Sequence, residues 1–209
     1  NQFVEEEIFT QEAEPSFYLY RQLKDGNEYL GLIAAVSIED YDEGRIKKHE
    51  NTLTNREEIF TDYLEHTSFN AEPVLLTYRD DFALDKIFAK YIEERAEYEF
   101  TSTDKVLHQL WLIEDKEDIH KIEKSFEGQK ALYIADGHHR CASSSKLKER
   151  LIAKGKHSSA VDYFMAFLIG EEQMKVYDFN RLVSGLNGLN KEKLLDKIKK
   201  QFIVEPKHQ

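Results

Sequence analysis

Two short stretches hold most of the chain's reactive groups. One is "YIADGHHR", which ends in Asp136, Gly137, His138, His139 and Arg140; the other is "GRIKKHENT", with Lys47, Lys48, His49 and Glu50. In the first, an apolar strand-like run over residues 131–136 meets an acid and a glycine, and a helical pattern follows to about Gly155. A strand that turns at a glycine into a helix aims unpaired backbone N–H groups at one point, where the helix dipole adds positive charge. Such a turn takes anions, most often phosphate. Gly137 lets a ligand approach the backbone closely. His138 and His139 offer ring donors, and Arg140 offers a planar fork. Asp136 suits Mg²⁺, a ligand hydroxyl or a helix cap. Asp-Gly before a helix is an ordinary turn. His-His-Arg is not, because cations there face the positive end of the dipole.

In the second stretch, Glu50 is the kind of group that orients or deprotonates an attacking hydroxyl, His49 stands beside it, and Lys48 can neutralise phosphate charge. Alone, "KKHE" reads as a solvated charged loop. Paired with a distant anion site, the cluster gains meaning as a second functional half. The candidate site residues are Glu50, His49 and Asp136 as groups able to work on a substrate, and Gly137, His138, His139, Arg140 and Lys48 as groups suited to a phosphate. Adjacent histidines on a helix diverge by about 100°, and the spacing H-x-x-x-H is absent. No dedicated metal centre is predicted, although a site built on one histidine with Glu50 or His49 stays open.

The elements that must position these groups are legible in outline. "SFYLYRQL" and "EYLGLIAAVSI" flank Asp25-Gly26, a hairpin signal. The polar stretch "EDYDEGRIKKHENTL" reads as a loop. Thr54 and Glu57 have capping-box spacing for a helix over about 55–67. Residues 72–78 and 106–113 read as strands, and 84–96 and 116–126 as helices. "DYFMAFLIG" and "QMKVYDFNRLV" suggest a second hairpin, with Asn180 and Arg181 after it. A basic amphipathic helix over 191–202 follows. Trp111 is expected in the core, His108 in the core or an interface, and Cys141 as a small, partly buried helix residue. Strands and helices mix without strict alternation, so the expected class is α/β or α+β with a mixed β-sheet and flanking helices. The expected organisation is one compact domain over 1–209, a fragment of a longer chain, with the "DGHHR" core around 106–183.

Composition narrows the function. The 209 residues are 41% hydrophobic and 12% aromatic, enough for a packed core. The formal net charge of −11 disfavours duplex nucleic acid, whose binding depends on neutralising phosphates with Lys and Arg. The longest apolar runs are about half of what spans a bilayer, and the acidic start is unlike a signal peptide, so no membrane partner is expected. A single cysteine excludes an internal disulfide and suits a cytoplasmic location.

The motifs also carry a resemblance. "YIADGHHR" resembles the DGHHR signature of the ParB/sulfiredoxin superfamily, above all its free serine kinase branch. "IKKHE" stands upstream where that branch has its own His-Glu pair. "AEPSFYLYRQ", "IKKHENT", "EPVLLTY", "HQLW" and "LYIADGHHR" together are similar to domain-of-unknown-function family 1015, over nearly the whole chain. The kinase resemblance implies a ParB/sulfiredoxin-like core with insertions, phosphate binding by Gly137, His138, His139 and Arg140, and Glu50 as base with His49 beside it. It also implies a nucleotide (ATP or ADP) with Mg²⁺ and a small hydroxyl acceptor, serine among the candidates. The two motifs lie 86 residues apart, Glu50 to Asp136, wider than expected for the kinase. Cys141 follows Arg140, whereas the sulfiredoxin cysteine precedes its His-Arg pair, so peroxiredoxin repair does not transfer. Two other classes stay open: a nucleotide-sensing module without catalysis, and a ParB-like nucleic-acid-binding or nuclease domain. A homo-oligomer is compatible with all three.

Overall fold

A computed structural model describes residues 2–177, 182 and 184–205. The chain divides into two compact units, Asn1–Met174 and Lys175–Gln209. The first holds an eight-stranded mixed sheet with helices, in agreement with the expected class.

The sheet begins with the expected hairpin. β1 (Phe17–Lys24) pairs antiparallel with β2 (Asn27–Ser37), Lys24 opposite Asn27. Asp25 and Gly26 have φ of 50° and 74°, the two positive values that a tight two-residue connection requires. The supposed loop after β2 contains structure. Ser37 caps a short helix, α2 (Ile38–Asp42), and a two-residue strand, β3 (Ile46–Lys47), follows. Beyond it come α3 (Thr54–Thr67), β4 (Val74–Tyr78), α4 (Phe82–Ile92), β5 (Tyr98–Thr101), β6 (Leu107–Ile113), α5 (Lys116–Gly128), β7 (Leu132–Asp136), α6 (His138–Ala153) and β8 (Tyr163–Gly170). A four-residue helical turn, Gln2–Glu5, precedes β1.

The strand order is β3-β7-β4-β8-β2-β1-β6-β5. β3 runs parallel to β7, and β4 parallel to β8; the other neighbours are antiparallel. Register lines up one apolar row across six strands: Ile134, Leu76, Leu168, Leu32, Leu19 and Trp111. Each is at most 3% exposed, so this row is the spine of the core. Burial of such side chains supplies roughly 1.5–3 kcal/mol each before entropy is counted. Trp111 is in the core as expected, and its indole N–H donates to the Glu94 carbonyl at 3.0 Å. His108 bonds the Tyr20 hydroxyl at 2.6 Å and stacks on Phe100.

Three expectations need correction. β8 does not form a hairpin with the segment after it: its two edges are taken by β2 and β4, and Met174–Tyr177 is not a strand. Asn180 and Arg181 lie outside the described residues. Thr54 is not a cap. Leu53 holds the N-cap position without a side-chain bond, and Glu57 instead accepts from the Thr52 hydroxyl. Cys141 is fully rather than partly buried, and burial pushes its thiol up to about 12. In the second unit, α7 (Lys191–Lys199) is capped by Asn190, whose side chain accepts from the Lys193 N–H at 2.9 Å; the expected helix was three residues longer.

Candidate functional site

The site arises where two strand-to-helix units lie side by side. Ile46 and Lys47 of β3 pair in parallel with Leu132 and Tyr133 of β7. Each strand then leads toward a helix, α3 through the loop 48–53 and α6 directly through Gly137. The two helices run in the same direction. Near their starts, the Ser143 hydroxyl bonds the Glu57 carbonyl at 3.2 Å; further along, Arg150 binds Glu58, Asp62 and Glu65. Thr61, fully buried, donates to the Glu57 carbonyl at 2.7 Å and stands 3.3 Å from the Ser143 carbonyl. Both helix starts therefore sit at the C-terminal ends of adjacent parallel strands, a usual place for ligands in α/β sheets.

This packing draws the two motifs together. The His49 backbone N–H points at His138 Nε2 at 3.4 Å, and the Leu53 N–H donates to His139 Nε2 at 3.1 Å. The rings of His49 and His138 meet edge to face with centroids 4.4 Å apart. Glu50 Oε2 lies 3.9 Å from His138 Nδ1. His138 is only 5% exposed, whereas the Glu50 side chain is 61% exposed. Burial, reinforced by the neighbouring His49, holds the His138 pKa below its ordinary 6.5, so the ring is neutral at physiological pH.

Gly137 has φ of 101°, and no side chain caps α6. A Cβ at Gly137 would stand 3.1 Å from Arg140 Nε and 3.3 Å from Val74 Cγ1. The first bond that closes the helix runs from the Cys141 N–H to the Gly137 carbonyl at 3.1 Å, so the N–H groups before it lack helical acceptors. Helix starts with such donors are places where anions bind.

Arg140 is placed differently from the expectation. Its guanidinium pairs with Asp136, stands 3.2 Å from Glu72 and donates to the Pro73 carbonyl. Its charge is already met by two carboxylates. Asp136 therefore serves Arg140 and does not cap α6. Lys48 lays its ammonium 3.5 Å from the centre of the Tyr41 ring. Neither Tyr41 nor Glu72 stood out in the sequence, because an aromatic in a short helix and a glutamate before a strand carry no motif.

The fold and site define a mixed α/β protein in which a His-Glu loop covers an uncapped, histidine-bearing helix start. The family model described as "Protein of unknown function (DUF1015)" matches residues 1–209, and the chain belongs to that family. No curated protein and no solved structure matches it. Among the described residues, no helix is long and apolar enough to cross a membrane.

Proposed function

We propose that the chain is a phosphotransferase that moves a phosphoryl group from a nucleotide, ATP or ADP with Mg²⁺, to a small hydroxyl compound, on a ParB/sulfiredoxin-like core. One observation carries this reading: the loop that bears His49 and Glu50 meets an uncapped helix start, His49 and Glu50 at His138 and the Leu53 N–H at His139. Phosphoryl transfer asks a protein mainly for positioning and charge stabilisation. The N–H groups at Gly137–Arg140 and the two imidazoles receive the donor phosphates, and Lys48 supplies positive charge. Glu50, exposed beside this turn, takes the proton of the acceptor hydroxyl. Arg140 holds the turn through Asp136 and Pro73. Serine is the first acceptor to try, on the motif resemblance, and a cytoplasmic setting supplies the nucleotide.

Isothermal titration of ATP and ADP with Mg²⁺ into the protein tests the reading. His139→Ala is expected to weaken nucleotide binding roughly tenfold to a hundredfold, the cost of a hydrogen bond to a charged group. Glu50→Gln should keep nucleotide binding and lower phosphoryl transfer about 100-fold to 10,000-fold. Absence of nucleotide binding by the folded protein removes the proposal. Unchanged turnover in Glu50→Gln removes the role of Glu50.

A further inference from the structure

His49, Glu50 and His138 each present one ligand atom, and all three atoms lie within 4.8 Å of one another. We infer that these three residues form a binding site for a borderline divalent transition-metal ion of the Zn²⁺, Mn²⁺, Fe²⁺ or Co²⁺ class. Two imidazoles and one carboxylate are a donor set that suits such ions and leaves coordination positions open.

One ligand is preset and two are adjustable. His138 sits in the first turn of α6, two residues after the end of β7, and is buried to 5% exposure. His49 and Glu50 lie exposed on the short loop between β3 and α3. Ligands about 2.1 Å from an ion in tetrahedral geometry stand roughly 3.4 Å apart. Closure from the present spacing is a movement of about an ångström, which the exposed arms can make. Imidazole binds metal through a ring-nitrogen lone pair, and His138 presents Nδ1 3.9 Å from Glu50 Oε2. The bond that holds its Nε2 is long, 3.4 Å from the His49 N–H. That N–H belongs to one of the closing arms, so the proton of the imidazole can pass to Nε2 as Nδ1 turns to the ion.

Cation binding does not depend on the phosphotransfer reading. One consequence does: with a cation held by Glu50, an acceptor hydroxyl would be activated by the ion's charge, and Glu50 would act through it.

The test uses the full chain, stripped with chelator, and Co²⁺ as probe, without nucleotide. Visible ligand-field absorbance should appear on titration and be abolished by competing Zn²⁺. His49→Ala and Glu50→Gln, both at exposed loop positions, should each weaken binding at least as much as the roughly 10–100-fold that loss of an outer-shell partner costs. His66→Ala and His157→Ala should leave it unchanged. His66 bonds the Asp62 carbonyl and His157 pairs with Asp162, both outside the cluster. Absent binding, or binding indifferent to His49→Ala and Glu50→Gln, overturns the assignment. If the metal binds but nucleotide does not, the site stands and the phosphotransfer reading falls.

Discussion

The starts of α4 and α5 differ from the start of α6. Asp81 caps α4 by accepting from the Ala83 N–H at 2.8 Å and from the Ser125 hydroxyl. Asp115 caps α5 by accepting from the N–H groups of Glu117 and Asp118, both at 3.0 Å. In each, a carboxylate meets the donors and the positive end of the dipole, as helix stability favours. The start of α6 has a bare glycine in the cap position, two histidines and an arginine, and no acid in the first turn. What α6 lacks in local capping it receives from tertiary contacts: the loop 48–53, β4 and α3. A helix end left open by its own sequence, yet tightly placed by its neighbours, suits a ligand better than it suits stability.

Three variants would break or sharpen that contrast. The largest effect is expected at Gly137. Gly137→Ala forces a Cβ into positive φ and against Arg140 and Val74, and should cost about 1–3 kcal/mol in urea unfolding. A neutral result would mean that the turn relaxes freely and that the close approach has no role. Next is Asp81→Ala, expected to cost about 1 kcal/mol at neutral pH, the usual value of a cap. The hydrogen bond from Ser125, then that from Ala83, holds the Asp81 carboxyl below its ordinary 3.8. A depressed carboxyl stabilises the fold above pH 3.8 and loses that contribution as pH falls through the folded value. The deficit of Asp81→Ala should therefore be full at neutral pH and shrink below pH 3.8; a constant deficit would show that the charge is irrelevant. Solvent screening limits the electrostatic share, because the group is only partly buried. The smallest global effect belongs to His139→Ala. It should speed hydrogen exchange at the Leu53 amide and leave the midpoint of unfolding nearly unchanged, since only one loop contact is lost. Retained protection at Leu53 would mean that the loop is held without the imidazole.

Local signals suffice where local chemistry governs. The Asp25-Gly26 hairpin, the strand at β4 and the junction from β7 to α6 needed only turn residues and apolar runs. They are silent where partners decide. β5 has all four residues exposed and exists through its pairing with β6. β3 is two residues long, too short for any period to appear. The spacing of Thr54 and Glu57 matches a capping box, but the helix starts one residue earlier: the Glu57 N–H that the Thr54 hydroxyl would accept goes to the Leu53 carbonyl at 3.1 Å, and the Glu57 carboxylate accepts from Thr52. The hairpin expected after β8 fails for a similar reason: β2 and β4 already occupy both of its edges.

The sequence by itself determined the chemistry on offer: a glycine turn into a helix, two imidazoles, a guanidinium, and a His-Glu pair upstream. It also determined the hairpin and a mixed sheet with helices, α/β or α+β, because turn residues and apolar periodicity act over a few positions. Only the tertiary structure decided that His49 and Glu50 meet His138, and that Arg140 turns to Asp136, Glu72 and Pro73 instead of outward. Those outcomes hang on the parallel pairing of β3 with β7 and on α3 lying alongside α6. Parallel pairing joins backbone groups distant in sequence and has no local signature, so no run of residues announces it.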